Sequence, residues 1–110
     1  MHNGFDEVIH APTRLSIVSL LAATDWVEFK VVRDAVGLSD SALSKQLTTL
    51  EEAGYVDISK GFVGKRPRTT VRLSTDGRAA FRGHVAALQA IVARAGETVL
   101  PDPQPVPGTG

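Results

Sequence analysis

The sequence predicts a small α+β domain, mainly helical, with one antiparallel hairpin set between the helices. Three patterns support this prediction. Apolar residues recur at helical spacing in the middle of the chain, two runs of alternating residues follow, and a second long helical pattern comes after them. With 110 residues and 43% hydrophobic content, the chain can form one domain with a modest core.

The first two helices are expected to act as scaffolding. Pro12 is well placed in the first turn of a helix, because proline lacks the N–H that this turn leaves unpaired. Its buried side is formed by apolar residues at a spacing of three: Leu15, Val18 and Leu21. A second, shorter helix should end at Gly37, which can adopt a positive φ. Trp26 and Val27, between the two helices, are expected to form a short third strand.

The third helix has two contrasting faces. Ser39 can cap its free N–H groups, and Gly54 can end it. Its apolar residues are spaced by four and three: Leu43, Leu47 and Leu50. The opposite face is short and polar with one cation: Ser41, Ser44, Lys45 and Thr48. Such a face fits a DNA major groove about 12 Å wide, so the pattern indicates a helix-turn-helix. An ordinary solvated helix is the alternative.

A basic hairpin follows this helix. Residues 55–60 and 69–73 alternate between apolar and polar types, which predicts two antiparallel strands. The intervening sequence GFVGKRPR is expected to be a loop with three cations at its tip: Lys65, Arg66 and Arg68. Residues 60–72 contain five basic residues and no acidic one, in a chain with a formal net charge of +0. This concentration of charge predicts contact with a phosphate backbone; a solubilising loop is the alternative.

The last predicted helix covers residues 74–95, with Ser74 as its N-cap. Its apolar residues recur at spacings of four, three, four and three: Phe81, Val85, Leu88, Val92 and Ala95. This spacing is typical of a coiled-coil seam and predicts a homodimer interface, with internal packing as the alternative. A twofold pair would present two reading helices about 34–36 Å apart, which matches an inverted repeat in DNA.

Two helices, a turn, a polar helix and a basic hairpin make up the winged-helix arrangement. Here the sequence resembles the winged helix-turn-helix transcriptional regulators of the MarR and ArsR type, in particular a small single-domain bacterial subgroup. The resemblance covers residues 12–95 and rests mainly on LSDSALSKQLTTLEEAGYV and on RPRT with LSTDGRAAF. It leaves open an unidentified small-molecule effector, because ligands in these families often lie between the terminal helices and the winged domain. No small-molecule site can be read from this sequence, and a chain this short leaves little room for a deep pocket. The resemblance implies DNA contacts from eight residues: Ser39, Ser41, Ser44, Lys45, Thr48, Lys65, Arg66 and Arg68.

Asp40, at the start of the reading helix, lies where DNA phosphates usually approach such helices. Its charge suits the positive end of the helix dipole. Its carboxylate could also accept a hydrogen bond from cytosine N4. Both roles remain open at this stage, and Asp40 is kept among the candidate DNA-binding residues.

The composition argues against catalysis. The absence of cysteine excludes disulfides, thiolate zinc sites and thiol redox sensing. The three histidines, His2, His10 and His84, are scattered, and no Gly-rich phosphate loop or serine elbow is present. Asp6 and His10 could share a helix face, but two groups do not make a metal site. We therefore predict no catalytic, cofactor or metal site, and expect His84 at the edge of the dimer seam.

The chain divides into four parts by these patterns. We expect an N-terminal arm (1–11), a winged helix-turn-helix domain (12–73), a dimerisation helix (74–95) and a disordered, proline-containing tail (96–110). No apolar run is long enough to span a membrane, and no basic-then-apolar signal begins the chain, which predicts a cytoplasmic protein.

These patterns together predict a homodimeric, sequence-specific DNA-binding transcriptional regulator. Repression is the simpler mode of action, because a dimer without a partner domain can block polymerase by occupying the DNA. The alternative is a winged helix that binds a protein rather than specific DNA, since a fold does not fix a function.

Overall fold

The computed structural model describes residues 4–98, and this range contains five helices and a small three-stranded sheet. The elements, in chain order, are α1 (Glu7–His10), α2 (Pro12–Ala22), β1 (Val27–Glu28), α3 (Phe29–Val36), α4 (Asp40–Glu52), β2 (Val56–Val63), β3 (Arg66–Leu73) and α5 (Thr75–Thr98). The predicted mainly helical α+β fold, with its hairpin and last helix, is confirmed. The helix α5 extends three residues beyond its expected end, and the rest of the predicted tail, 99–110, lies outside the described residues.

The three strands form one antiparallel sheet in the order β1-β3-β2. The hairpin pairs along its whole length, from Val56 opposite Leu73 to Val63 opposite Arg66. The short strand β1 lies one residue later than expected and pairs with β3 at two positions, 70 and 71. The outer half of the hairpin therefore projects beyond the sheet as a two-stranded wing.

The prediction that the whole of GFVGKRPR forms a loop was wrong. The two strands continue through most of it, so Gly64 and Lys65 alone form the turn, with Gly64 at a φ of 63°. Its glycines and its proline are typical of a loop, but cross-strand pairing keeps this stretch extended. Pro67 is accommodated because β1 pairs farther along β3, which leaves that strand edge free where the proline lacks an N–H.

This longer hairpin moves one of the predicted tip cations. Lys65 and Arg66 do lie at the end of the wing. Arg68 does not, because it stands two residues inside β3, opposite Gly61. Its expected place at the tip is therefore corrected.

The core lies between the helices and the inner end of the sheet. Its buried residues come from α1 to α4 and both hairpin strands: Ile9, Ile17, Val18, Leu21, Val32, Leu43, Leu47, Leu50, Val56, Val71 and Leu73. The apolar stripe predicted for α4 is confirmed, since all three of its leucines are 0–2% exposed. Because α4 is held from behind in this way, its polar face is turned outward and fixed.

The predicted helix caps are also present. Ser39 Oγ accepts a hydrogen bond from the Ala42 amide at 3.1 Å, and Ser74 Oγ accepts one from the Gly77 amide at 2.9 Å. Gly37 ends α3 in the left-handed region with a φ of 72°. These caps set where the turn ends and where α4 and α5 begin.

A close backbone contact joins α5 to the exit of α4. The Ser74 amide donates to Tyr55 O at 2.9 Å, and a Cβ at Gly77 would lie 2.0 Å from that same carbonyl oxygen. Arg78 extends the junction by donating to Thr24 O, after the end of α2, at 2.7 Å. The start of α5 is thus held against the end of α2 and the segment after α4, and only glycine fits at position 77.

In the described part of the chain, no helix is both long and apolar enough to cross a membrane.

Candidate nucleic-acid interface

The outer face of α4 presents the predicted reading residues together. All four lie exposed on one side of the helix: Ser41, Ser44, Lys45 and Thr48. Thr48 donates its hydroxyl to Ser44 O at 2.9 Å, which fixes its side chain against the helix. Lys45 has no ion-pair partner among residues 4–98, so its ammonium can reach a base edge or a phosphate.

Asp40 is engaged by the preceding helix. Arg33 donates from Nη1 to Asp40 Oδ1 at 2.8 Å, and from Nε to Asp34 Oδ1 at 2.9 Å. The hydrogen bonds to Asp34 and Asp40 raise the pKa of Arg33, and the bond from Arg33 lowers the pKa of Asp34. The Asp40 carboxylate therefore ties α3 to the first turn of α4, a role that the sequence did not indicate.

A conservative substitution separates this role from base reading. Asp40→Asn keeps the shape of the side chain but removes one negative charge near the expected phosphates. We expect unchanged base preference and a rise of about two- to fivefold in affinity for non-specific DNA. Selection of binding sites by the variant and the wild type measures this directly. Relaxed preference at one base pair would instead show that Asp40 reads cytosine.

A groove of about 630 Å³ separates α4 from the wing. Ser44, Thr48 and two acidic residues, Asp40 and Glu51, line its helix side. Lys60 and Thr69, which face each other across the hairpin, line its sheet side. In duplex DNA one sugar-phosphate strand separates the major groove from the minor groove. A strand with its major groove on α4 and its minor groove on the wing would pass through this groove.

Lys60 is a candidate that the sequence reasoning did not single out. It has no ion-pair partner within residues 4–98 and lies at the groove, where a phosphate would approach. The signal was available in the strand alternation, because Lys60 shares its sheet face with Val56 and Ile58. Thr69 is its cross-strand partner on the same face.

The basic residues of the wing differ in how freely they can bind an anion. The side chains of Lys65 and Arg66 are exposed and form no ion pair with any residue from 4 to 98. Arg68 lies 3.5 Å from a carboxylate oxygen of Glu28. Arg72 donates to Asp57 at 3.1 Å and stacks over the Trp26 ring at 4.5 Å. The cations without an ion-pair partner in residues 4–98 are therefore Lys65 and Arg66 at the tip and Lys60 in the groove.

The predicted seam of α5 is covered at one end only. Phe81 packs against the core, and Val85 and Leu88 are half-buried. Val92 is 70% exposed, and Ala95 is also exposed. Ile91, beside the seam, is 50% exposed. Within the described residues, the last third of α5 extends beyond its own domain with its apolar side chains uncovered.

His84 lies elsewhere than expected. It was predicted at the edge of the dimer seam, but it is 0% exposed beneath the N-terminal arm. The Asp6 amide donates to His84 Nδ1 at 2.9 Å, and His84 Nε2 lies 3.3 Å from His10 Nδ1. The Phe5 ring packs against both imidazoles, with centroid distances of 4.7 and 4.8 Å. Periodicity could not reveal this site because its two histidines are 74 residues apart.

The same arm is also connected to α2, to α4 and to the segment that follows α4. The Tyr55 hydroxyl donates to the Asp6 carboxylate, and this bond, with burial, raises the pKa of Tyr55 to about 12. Arg14 on α2 donates to Val8 O at 2.6 Å and to Gln46 Oε1, on α4, at 3.0 Å.

In residues 4–98 no three histidine, aspartate or glutamate side chains are placed to hold a metal ion.

The buried imidazole predicts acid sensitivity. Since the Asp6 amide donates to Nδ1, His84 is neutral with its proton on Nε2. Burial lowers the pKa of His84, and the charge of His10 lowers it further, against smaller opposite effects of Asp6 and Glu7. A folded pKa below the ordinary value of 6.5 means that the unfolded chain takes up the proton more readily. Stability is therefore complete above pH 6.5 and declines as pH falls toward the folded pKa.

We expect the urea concentration at the midpoint of unfolding to decrease when the pH is lowered from 7.5 to 5.5. His84→Asn provides the control, because its side-chain oxygen can replace Nδ1 as the acceptor but does not titrate. The variant will be less stable at neutral pH, and its midpoint should change less between the two pH values. An equal decline in both proteins would locate the acid sensitivity at another group.

Comparison with known proteins agrees with this geometry. The sequence profile of the family described as "Winged helix DNA-binding domain" matches residues 13–92. The uncharacterized protein MJ0432 of Methanocaldococcus jannaschii is 28% identical over 79 residues, which cover 72% of this chain and 86% of that protein.

Solved structures of regulators share the fold. A transcriptional regulator homologue from Pyrococcus horikoshii aligns with a TM-score of 0.75 and 24% identity, over 81% of this chain and 88% of that one. PcaV from Streptomyces coelicolor, solved with its natural ligand, aligns with a TM-score of 0.67 and 18% identity, over 87% of this chain and 67% of that one. MOSR from Mycobacterium tuberculosis, solved with DNA, aligns with a TM-score of 0.61 and 19% identity, over 83% of this chain and 65% of that one.

A regulator described as a MarR-family member, from Silicibacter pomeroyi, also shares the fold, with a TM-score of 0.60 and 20% identity over 86% of this chain and 62% of that one. The predicted resemblance to MarR-type regulators is thereby confirmed for the fold. The matched family is described as a DNA-binding domain, and the solved structures that share this fold are transcriptional regulators or their homologues. The polar helix, the basic wing and the matched family lead to one conclusion: the chain belongs to the winged helix DNA-binding domain family.

Proposed function

We propose that this protein is a sequence-specific transcriptional regulator that binds an inverted-repeat operator as a homodimer. One observation carries the proposal. The polar face of α4 and Lys60 of the wing lie on opposite sides of a single groove of about 630 Å³, and the unpaired cations Lys65 and Arg66 lie farther out, at the tip of the same hairpin. This arrangement fits a reading helix in the major groove, a phosphate strand in the groove and a wing at the minor groove.

The proposed contacts divide into three sets. Base edges are read by α4 side chains: Ser41, Ser44, Lys45 and Thr48. Phosphates are bound near the start of α4 by Ser39, and in the groove by Lys60 and Thr69. The wing contributes Lys65 and Arg66, with a smaller role for Arg68 because Glu28 already neutralises part of its charge. Asp40 acts by positioning α4 through Arg33.

Dimerisation through α5 is the second part of the proposal. The apolar stripe from Phe81 to Ala95 is packed at its start and exposed at its end, where Val92 has the largest uncovered apolar surface. A second copy that packs along this stripe would cover it and provide the twofold axis of an inverted repeat. Repression by occupying the promoter, a cytoplasmic location and an unidentified small-molecule effector complete the proposal. Ligand-bound PcaV supports the effector.

The proposal is tested by selecting fragments of the source genome with the purified protein. Fluorescence anisotropy at two salt concentrations then measures affinity for the enriched fragments. Enrichment of an inverted repeat, with affinity that falls steeply as salt rises, supports the regulator. Binding without enrichment, or affinity insensitive to salt, would favour the alternative of a winged helix that binds a protein.

Lys45→Ala tests the assignment of the reading helix. The variant should lose about tenfold or more in affinity for the enriched fragments, and clearly less for random DNA, because a base contact is worth about 1–3 kcal/mol. Lys30→Ala, an exposed cation on α3, is the matched control and should affect both DNAs equally. Equal losses on both DNAs for Lys45→Ala would remove it from the base-reading residues.

A further inference from the structure

An aromatic side chain is exposed on the wing beside the unpaired cations. Phe62 is 73% exposed, which is the largest exposure of any large apolar residue in the described part of the chain. Its cross-strand partner Pro67 is also exposed, so the two side chains form an apolar patch, and contiguous apolar surface of this kind marks interaction sites. The core does not explain it, because the packed end of the hairpin lies four residues earlier, at Ile58.

The hairpin register places Phe62 on the same face of the sheet as the residues that line the groove between α4 and the wing. Successive cross-strand pairs on one sheet face are Ile58 with Val71, Lys60 with Thr69, and Phe62 with Pro67. The first pair packs on the core and the second lines the groove beside α4. Because side chains at a spacing of two share a face, the third pair continues the same line outward. The apolar pair thus lies one step beyond the phosphate-binding groove.

The ring lies at the outer edge of the wing. It also borders a shallow depression lined by Trp26 and Arg68 on the opposite face, since Gly61 has no side chain to separate them. The unpaired cations of the hairpin, within residues 4–98, are Lys60, Lys65 and Arg66, and residues 58–73 contain no acidic residue. The charge around Phe62 therefore fits a polyanion, not a basic or neutral protein surface.

We propose that Phe62, backed by Pro67, enters the minor groove as an apolar wedge and bends the DNA beside each half-site. This inference rests on the proposed function. Phenylalanine and proline are among the residues that open a base step from the minor-groove side. The cations at the tip hold the flanking phosphates, so the ring is placed at the groove floor rather than at its edge. A dimer places two such wedges symmetrically.

The wedge adds a sequence preference that requires no hydrogen bond to a base. Pyrimidine–purine steps such as TA and CA unstack more easily than others. We therefore expect such steps outside the half-sites, at the positions reached by the wing.

The bend is measured by energy transfer between dyes at the two ends of an enriched fragment. The wild type should bring the ends closer. Phe62→Ala should weaken binding about tenfold, the order expected for the loss of an aromatic ring stacked on a base, and should leave the bound DNA straighter. Phe62→Leu keeps an apolar wedge and should retain most of the bend. Val63→Ala, on the other face of the hairpin and 54% exposed, is the matched control and should change neither quantity.

The outcomes separate the wedge from the proposed function. If the wild type binds no fragment specifically, the proposed function fails. If the wild type binds specifically, and Phe62→Ala binds with equal affinity and equal bend, the wedge is overturned while the regulator stands. If Phe62→Ala instead alters self-association in sedimentation with DNA binding unchanged, Phe62 contacts a second copy of the chain and the wedge is again overturned.

Discussion

Replacing Lys65 and Arg66 together with alanine should lower DNA affinity by about tenfold or more and reduce the slope of log affinity against log salt by about two. Both side chains stand at the turn of the wing, exposed and without an ion-pair partner in residues 4–98. Each is therefore free to displace a counterion from a phosphate. The loss should be similar on operator and random DNA, because phosphates carry no sequence information.

Arg68→Ala is the internal comparison for this prediction. Arg68 belongs to the same strand but already lies 3.5 Å from Glu28, so its removal should change the salt slope less than loss of either tip cation. Anisotropy titrations at several salt concentrations give the salt slope of the wild type, of the double variant at Lys65 and Arg66, and of Arg68→Ala. A larger effect for Arg68 than for the tip pair would mean that DNA contacts the side of the wing.

Val92→Arg should convert the protein to a monomer and reduce operator affinity by about a hundredfold or more. The side chain is 70% exposed within one chain, so the substitution removes little of the core, and the fold should survive. In a dimer packed along α5, the new charge would be buried without a partner, which is strongly unfavourable. Loss of the second reading helix then removes the gain from binding two linked half-sites.

Sedimentation and thermal unfolding distinguish loss of the dimer from loss of the fold. Ala90→Arg is the matched control, because residue 90 is also exposed but points away from the Phe81–Ala95 stripe. It should stay dimeric and bind normally. A dimeric Val92→Arg protein would place the interface elsewhere on the chain.

The part of the fold that could be predicted is the part specified by local chemistry. Ser39 and Gly37 fix the turn through hydrogen bonding and a positive φ, which depend on neighbouring residues alone. The leucine stripe of α4 reports one buried side at helical spacing, and all of it is buried. Such signals need no knowledge of distant residues.

The wing was less predictable because its local and non-local signals conflict. Gly61, Gly64 and Pro67 favour a loop, but eight cross-strand pairs keep the chain extended on both sides of Gly64. A strand position for Pro67 could be predicted only with the knowledge that β1 pairs with β3 farther along, at residues 70 and 71. The extended wing is what moves Arg68 from the tip and aligns Phe62 with Lys60.

Long-range polar contacts were beyond the sequence. The contact of Gly77 with Tyr55 O and the burial of His84 beneath the N-terminal arm each join residues whose proximity depends on the completed fold. His84 illustrates the limit, since a lone histidine on an amphipathic helix looks the same whether a dimer or the N-terminal arm covers it. Here the arm covers it.

Hydroxyl-radical footprinting of the protein on an enriched genomic fragment tests the central claim most directly. Two reading helices related by a twofold axis should protect two half-sites whose centres lie about 10 bp apart, with symmetric protection in the flanking minor grooves. Val92→Arg should lose this pattern. A single protected half-site, or no protection under conditions where the wild type is a folded dimer, would contradict the claim that this chain reads DNA as a symmetric pair.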